Sequence, residues 1–277
     1  MSKAEKISQA IRELVKALMD RVMIRVLEED PFIVEDHRAN KPLYAALVPD
    51  EIFKGSHFER RFVTPFGGVW EKLAKLSAES GLGYSETGKT ISGNIPQERL
   101  RRISEILALL EHPIEGKKRQ TPNWEEELKY ILKGKGKLLP TRIVCDVYAE
   151  DTVNKKKYAF ELKSPLPNSD ITKVSKEKIL KLYSMEPKII ADAFFVLPYN
   201  PYGKKENYAW SFPSRWFDMR KDKVVLIGEE FWDFIGGKGT YRLFIEEINK
   251  LGKVYKDRIY REFLEIEPPK EKTEYLL

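Results

Sequence analysis

The sequence has few of the residues that build disulfide frameworks or cysteine and histidine metal sites. Its 277 residues include one cysteine, Cys145, so we expect no internal disulfide and no cysteine-rich zinc site. The three histidines, His37, His57 and His112, are far apart in the chain, which argues against a histidine metal cluster and an HNH-type nuclease. A Gly-x-Ser-x-Gly elbow is absent too, so that kind of serine hydrolase is not indicated.

Long apolar runs are also missing. No stretch approaches the length of a membrane span, and the first residues lack the hydrophobic core of a signal peptide. We therefore expect a soluble, unprocessed, cytoplasmic protein with no membrane partner.

The excess of charge of one sign is small. There are 49 Lys and Arg against 43 Asp and Glu, which gives a formal net charge of +6. A mildly basic chain suits a polyanionic partner such as DNA without requiring one. With 42% hydrophobic residues the chain can bury one sizeable core or two small ones, and we favour one.

The strongest local pattern lies at 141–170. Residues 142–149 and 158–163 are rich in β-branched and aromatic side chains, and the stretch between them is polar. Two such runs joined by a polar connection predict an antiparallel β-hairpin.

The second strand of this hairpin separates charge from apolar surface. Successive side chains of a strand point to opposite faces, so Glu161 and Lys163 share one face while Phe160 and Leu162 pack on the other. If Asp146 lies opposite Glu161, the two carboxylates can hold a divalent cation. Lys163 would then orient an attacking water and offset the charge that develops on phosphorus. A surface hairpin with a salt bridge remains the alternative.

The spacing Asp-(x)14-Glu-Leu-Lys resembles the signature of the PD-(D/E)XK nuclease superfamily, which includes many type II restriction endonucleases. The resemblance implies that Asp146 and Glu161 bind Mg2+ and that Lys163 serves the hydrolytic water. Cys145 stands where the pattern usually has proline, a position that varies. In such folds a helix before the first core strand often lends a glutamate to the metal site. Glu71, in a predicted helix over 69–80, is the candidate, and a solvent-facing glutamate is the alternative.

A rival motif occurs at 83–90, where Gly-Tyr-Ser-Glu-Thr-Gly-Lys-Thr matches the Walker A string of a P-loop ATPase, and 143–146 could pass for a Walker B strand. A P-loop needs a buried strand before it and a helix that begins at its Lys-Thr. Here a helical pattern precedes the motif, and Gly93 and Pro96 follow it. We therefore keep the ATPase as a remote alternative and predict a flexible glycine-rich loop.

The remaining periodicities predict an α/β fold. Strands are expected at 189–197 and 224–227, an irregular stretch at 31–49, and helices at 7–26, 96–110, 123–133, 174–183, 230–235 and 241–266. The helix between the hairpin and the strand at 189–197 implies a right-handed crossover and parallel pairing. The order is that of a restriction-endonuclease-like core, a mixed β-sheet flanked by helices, with helical N- and C-terminal elaborations. One further strand before Asp146 has no clear position in the sequence.

Several separated blocks resemble a narrower group, the TdeIII family of type II restriction endonucleases. They lie at 58–64, 161–168, 198–203, 208–211 and 227–237. The resemblance implies Mg2+-dependent cleavage of double-stranded DNA at a short G/C-rich palindrome of the GGNCC or GGCC kind, giving 5′-phosphate ends. It also implies a homodimer, because a twofold protein matches a twofold site, and a cognate DNA methyltransferase as a functional partner.

Residues near the catalytic strand are candidates for contact with DNA. We name Asn168, Lys173, Lys176 and Asn200 as candidate DNA-contacting residues, and Arg60 and Arg61 as phosphate contacts, with structural roles as the alternative for each residue.

We expect a single elaborated domain over 1–277, with an N-terminal helical region at 1–55, a catalytic core at 56–250 and a C-terminal helix and tail at 251–277. The competing functions are a nonspecific or repair PD-(D/E)XK nuclease and a DNA-binding module that does not cleave.

Overall fold

A computed structural model of the chain describes residues 3–112 and 119–269. Its helices are α1 (Lys3–Ile24), α2 (Val34–Asn40), α3 (Pro42–Ala45), α4 (Asp50–Gly81), α5 (Gln97–Glu111), α6 (Trp124–Leu132), α7 (Ser169–Tyr183), α8 (Glu229–Gly236) and α9 (Thr240–Arg258). Its strands are β1 (Gly83–Thr87), β2 (Thr90–Pro96), β3 (Leu138–Val144), β4 (Val147–Asp151), β5 (Lys156–Leu162), β6 (Asp192–Leu197) and β7 (Val225–Ile227). Short π-helical segments, Arg25–Glu29 and Ile259–Leu264, follow α1 and α9.

The contacts within the chain divide these residues into two compact units. One holds residues 3–73 and 242–269 and is helical, and the other holds 74–112 and 119–241 with all the strands that the structure describes. The single domain expected over 1–277, with its divisions at 55 and 250, stays a prediction. In the described ranges no helix combines the length and the apolar character that crossing a bilayer requires.

The helical unit is built on a stripe of aromatic side chains along α4. The sequence predicted a helix from residue 69 onward, but α4 already begins at Asp50 and continues through Pro65. Side chains four residues apart lie on one helix face, and the neighbouring ring centroids of the stripe are 6.3, 5.3 and 4.9 Å apart. The rings belong to Phe58, Phe62, Phe66 and Trp70. Their packing outweighs the helix-breaking tendency of the proline and of the two glycines that follow.

The prediction of an irregular stretch over 31–49 is wrong, because helices α2 and α3 occupy most of these residues. The amphipathic helix expected at the N-terminus is confirmed. Its apolar residues recur at three- and four-residue steps, and the structure buries them. The buried set includes Ile7, Ile11, Val15, Leu18 and Val22.

The second unit contains a five-stranded mixed sheet in the order β1-β4-β5-β6-β7. Strands β1, β4 and β5 pair antiparallel, whereas β5, β6 and β7 pair parallel. The crossover from β5 through α7 to β6 confirms the predicted parallel pairing. The mixed sheet flanked by helices is the restriction-endonuclease-like core that the sequence predicted.

Two sequence predictions in this unit are wrong. The segment expected to be one strand over 142–149 is two strands, because β3 pairs with β2 in a separate two-stranded sheet and β4 joins the main sheet. The chain changes sheets between Val144 and Val147. The segment at 83–90, predicted to be a flexible loop, instead contains β1, which pairs antiparallel with β4 in the main sheet. Strand β1 is the strand that the sequence could not locate.

Different helices pack on the two faces of the main sheet. Phe160 of β5 and Phe194 of β6 stack at 5.5 Å between centroids, and Phe231 and Phe234 of α8 approach these rings edge-on. Side chains one residue along the same strands point to the opposite face, where α7 packs. Glu161 has the parity of the α7 face. The sheet therefore directs the predicted charged residues toward α7.

One predicted DNA contact lies in the core instead. Lys176 has an exposed fraction of 0%, its ammonium is 2.5 Å from a carboxylate oxygen of Glu127 on α6, and it donates to the carbonyl of Trp216. Burial lowers the pKa of Lys176 against the opposing effect of Glu127. Since no part of the side chain reaches solvent, we withdraw Lys176 as a DNA contact.

We expect Lys176→Ala to destabilise the protein by about 3–5 kcal/mol, because it leaves the Glu127 carboxylate buried without its cation. The double variant Lys176→Met with Glu127→Gln should recover most of this loss, since it removes both charges and keeps an acceptor for the backbone N–H of Asn123. Urea unfolding followed by tryptophan fluorescence measures both. Unchanged unfolding of Lys176→Ala together with weaker DNA binding would show that the lysine faces DNA.

Candidate active site

The β4–β5 hairpin brings Asp146 to Glu161. Val147 pairs with Phe160, so Asp146, which directly precedes Val147, lies beside the end of β5 that carries Glu161. The Asp146 carboxylate accepts a hydrogen bond of 2.8 Å from the backbone N–H of Leu162. This bond fixes the carboxylate at the point where the chain leaves β3 for β4.

Lys163 joins the two carboxylates. Its Nζ is 2.8 Å from Oδ2 of Asp146 and 3.4 Å from Oε2 of Glu161. Burial lowers the pKa of the ammonium, but the charges of Asp146 and Glu161 outweigh this effect, and the net pKa is raised. The structure thus brings the tips of the three predicted catalytic side chains together on one face of the sheet.

Glu161 is the most deeply placed member, with an exposed fraction of 2%. Burial and the nearby charge of Asp146 raise the pKa of its carboxyl group, while Lys163 and Lys178 act in the opposite direction. The buried carboxylate of Glu161 is thus held between the ammonium groups of Lys163 and Lys178.

Lys178 is a member of the site that sequence reasoning did not single out. Its Nζ lies 2.8 Å from Oε1 of Glu161 and donates to the carbonyl of Val144 at 2.9 Å. It thereby ties α7 to the buried carboxylate and to the end of β3. The sequence showed a lysine-rich helix here, but only the crossover of that helix over the sheet selects this lysine.

A cavity of about 260 Å3 opens beside these residues. Glu161, Lys163 and Lys178 contribute to one side, and the first turns of α7 contribute the apolar side chains of Ile171 and Val174. These two are 45% and 53% exposed. The cavity combines charged groups that can act on a phosphodiester with apolar surface that is free for contact.

Aromatic donors hold the loop that connects Lys163 to α7. The hydroxyl of Tyr208 donates to the carbonyl of Pro165, and the indole N–H of Trp210 donates to that of Pro167, both at 2.9 Å. The indole N–H of Trp216 donates to the hydroxyl of Ser169 at 3.0 Å. The sequence blocks at 161–168 and 208–211 therefore touch in space.

The donor set fits a hard divalent cation. Carboxylate oxygens are the ligands that Mg2+ prefers, and Asp146 and Glu161 already share one positively charged group, the Lys163 ammonium. In residues 3–112 and 119–269 no group of three or more Asp, Glu, His or Cys side chains is arranged to hold a metal. Glu71 lies on the part of α4 that belongs to the helical unit, and its part in the site stays a prediction.

The other predicted DNA contacts have local partners. Asn168 caps α7, its side chain accepting from the N–H of Ile171, and Asn200 bonds within its own turn. Lys173 pairs with Glu111 at 2.5 Å. These contacts give each residue a structural role, and contact with DNA stays a prediction for all three.

The two arginines of α4 differ from each other. Arg61 forms an ion pair with Asp30 and donates to the carbonyl of His57, whereas Arg60 is exposed. Both stay predicted phosphate contacts, and Arg60 is the less engaged.

The Walker-like string does not form a P-loop. Lys89 pairs with Glu86 at 3.0 Å and its ammonium lies 4.2 Å from the ring centroid of Tyr148. Strand β2 begins at Thr90, where a P-loop requires a helix. The remote ATPase interpretation therefore lacks its structural basis.

A mixed sheet with paired carboxylates and a lysine at one face defines a protein with a restriction-endonuclease-like core. The chain belongs to the HinfI family of type II restriction endonucleases, whose family model matches residues 7–252. It is a site-specific deoxyribonuclease, and DNA is its partner. The family match is to HinfI, and the likeness to TdeIII that the sequence blocks suggested stays a prediction.

Curated relatives agree with this assignment. The chain is 28% identical to the type II restriction enzyme HgiEI of Herpetosiphon aurantiacus over 233 residues, which cover 81% of this chain and 82% of the relative. It is 27% identical to the type II restriction enzyme HgiBI of the same organism, again over 233 residues that cover 81% of this chain and 82% of the relative. To the type II restriction enzyme MjaII of Methanocaldococcus jannaschii it is 32% identical over 151 residues, 48% of this chain and 40% of the relative.

We expect Lys178→Met to lower the free energy of unfolding by about 1.5–3 kcal/mol, because Glu161 and the Val144 carbonyl lose a charged hydrogen-bond donor. Lys181→Met is the matched control on the same helix. Lys181 forms an i,i+4 pair with Glu177 near the surface, and its loss should cost about 0.5 kcal/mol or less. Equal urea midpoints for the two variants would contradict the role assigned to Lys178.

Proposed function

We propose that the protein is a Mg2+-dependent restriction endonuclease of the PD-(D/E)XK superfamily that hydrolyses double-stranded DNA within a short palindrome. The observation that carries the proposal is that one ammonium, that of Lys163, contacts both the Asp146 carboxylate before β4 and the Glu161 carboxylate on β5. Two acidic side chains that can hold a cation beside an open cavity suit metal-assisted hydrolysis of a phosphodiester.

In this proposal Asp146 and Glu161 hold the metal, and Glu71 assists. When bound, Mg2+ withdraws negative charge from the phosphodiester and makes water a better nucleophile. The hydrogen bond from Leu162 N–H keeps the Asp146 carboxylate in a fixed direction. Burial of Glu161 in the sheet keeps the second carboxylate from rotating toward solvent.

Lys163 donates hydrogen bonds from Nζ to the attacking water and to a phosphate oxygen. The water oxygen forms a bond to phosphorus while the bond from phosphorus to the 3′ oxygen breaks. The attacking water gives one proton to the solvent, and the departing 3′ oxygen takes up one proton from the solvent. The products are a 5′-phosphate and a 3′-hydroxyl end. The positive charge of Lys163 stabilises the negative charge that develops on the reacting phosphate in the transition state.

The finer assignments follow from the sequence resemblance. The recognition site is a G/C-rich palindrome of the GGNCC or GGCC kind, the enzyme acts as a homodimer, and a cognate methyltransferase protects the host DNA in the cytoplasm. Contacts to DNA come from Arg60, Arg61, Asn168, Lys173 and Asn200. Polar and cationic side chains of this kind position the phosphate backbone and read base edges.

Incubating the purified protein with plasmid DNA and Mg2+ tests the proposal. Discrete fragments are expected with Mg2+ and none with EDTA. A smear would instead indicate a nonspecific or repair nuclease, and binding without any cutting would indicate a DNA-binding module that does not cleave. Sequencing the fragment ends identifies the cleaved bond and the palindrome.

We expect Lys163→Ala to lower the cleavage rate by about 100-fold or more while leaving DNA affinity, measured in Ca2+, nearly unchanged. Lys157→Ala is the matched control, because Lys157 is an exposed lysine on the same strand. Cleavage by Lys163→Ala at the rate of the control would show that the lysine has no part in the reaction.

A further inference from the structure

The helical unit contains a polar cavity of about 160 Å3 that the catalytic proposal does not use. The cavity lies between α2 and the first half of α4, and Lys41, which follows α2, also lines it. The lining includes no carboxylate side chain among the described residues. Its polar lining consists of His37, Lys41, Ser56, His57, Arg60 and Arg61.

His37, which lines this cavity, carries a nitrogen that no hydrogen bond with a described residue satisfies. Its Nε2 is buried and has no hydrogen-bond partner among the described residues. The ring cannot easily turn away, because it packs against Phe53 at 4.1 Å and Phe32 at 5.4 Å between centroids. A buried nitrogen without a partner is costly, by about 1–3 kcal/mol, unless a ligand satisfies it.

The cations of the cavity are incompletely neutralised. Arg61 is paired with Asp30, but Lys41 and Arg60 form no ion pair with any described carboxylate. By contrast Arg38, on the same helix as His37, is paired with Asp50 at 2.5 Å. The cavity thus presents an excess of positive charge together with hydroxyl and imidazole groups.

We propose that this cavity binds a phosphate group, and we call it the phosphate pocket, defined by His37, Lys41, Ser56 and Arg60. A guanidinium and an ammonium compensate the charge of the oxyanion, and the imidazole and the hydroxyl donate to its oxygens. A cavity of about 160 Å3 is large enough for one phosphate group with its first waters. The source is either a backbone phosphate of DNA, which rests on the proposed function, or a free phosphate or nucleotide.

The first test uses inorganic phosphate and the intact protein. The chain has three histidines, so their side-chain NMR signals in histidine-labelled protein are few and can be assigned by substitution. Titration with phosphate at fixed pH and ionic strength should shift the signals of His37 and His57 saturably. His112 lies outside the pocket and serves as an internal control. The variant Lys41→Gln with Arg60→Gln should lose the shifts.

The second test identifies the source of the phosphate. If the ligand is DNA, the double variant Lys41→Gln with Arg60→Gln should weaken duplex binding by about eightfold at 0.1 M salt. It should also reduce the magnitude of the slope of log K against log salt by about 0.9, the value for one phosphate contact. Arg38→Gln, which removes an arginine outside the pocket, should leave the slope unchanged. Phosphate shifts with unchanged DNA affinity would assign the pocket to a free phosphate or nucleotide.

An unshifted His37 signal throughout the phosphate titration overturns the pocket, whatever the DNA assay shows. That outcome is separate from failure of the catalytic proposal. Plasmid cleavage depends on Asp146, Glu161 and Lys163 in the other unit and is measured on the unmodified chain, whereas the phosphate titration needs neither DNA nor Mg2+.

Discussion

The site depends on a carboxylate that the fold buries. Glu161 lies at the end of β5 beneath α7, where an isolated negative charge would be strongly unfavourable. Two ammonium groups offset it, Lys163 from the strand itself and Lys178 from the helix above. Because Lys178 also bonds the Val144 carbonyl, the same interaction holds the end of β3, from which Asp146 follows. These ion pairs and hydrogen bonds therefore link β5, α7 and the predicted catalytic residues to one another.

The loop between Lys163 and α7 brings two distant parts of the sequence, 161–168 and 208–211, into contact. Its carbonyls accept hydrogen bonds from Tyr208 and Trp210, about forty residues later, and Trp216 binds the hydroxyl of Ser169. The aromatic rings are large and partly or wholly buried, so the donors at their tips are fixed by packing. These two segments and Trp216 thus support the chain between Lys163 and α7.

Much of the fold of the unit that contains the main sheet could be predicted from the sequence, and the wrong predictions have physical causes. The pairing of β4 with β5 and the parallel β6 follow from local patterns. The division of 142–149 between two sheets does not, because it depends on pairing of β3 with β2 some fifty residues earlier. The prediction of a flexible loop at 83–90 is wrong, because the pairing of β1 with β4 outweighs the conformational freedom of the glycines. In α4 the aromatic stripe outweighs Pro65, although its four-residue spacing was visible in the sequence.

The sequence by itself determined that Glu161 and Lys163 share a face, and it predicted Asp146 opposite them, because strand alternation and a short hairpin are local properties. Only the tertiary structure decided which lysines of α7 are buried and which carboxylates they contact. Lys176 is buried against Glu127, and Lys178 pairs with Glu161, although the two lysines are only two residues apart. The physical reason is that the stability of a charge depends on which distant groups surround it, and the crossover of α7 over the sheet sets those neighbours.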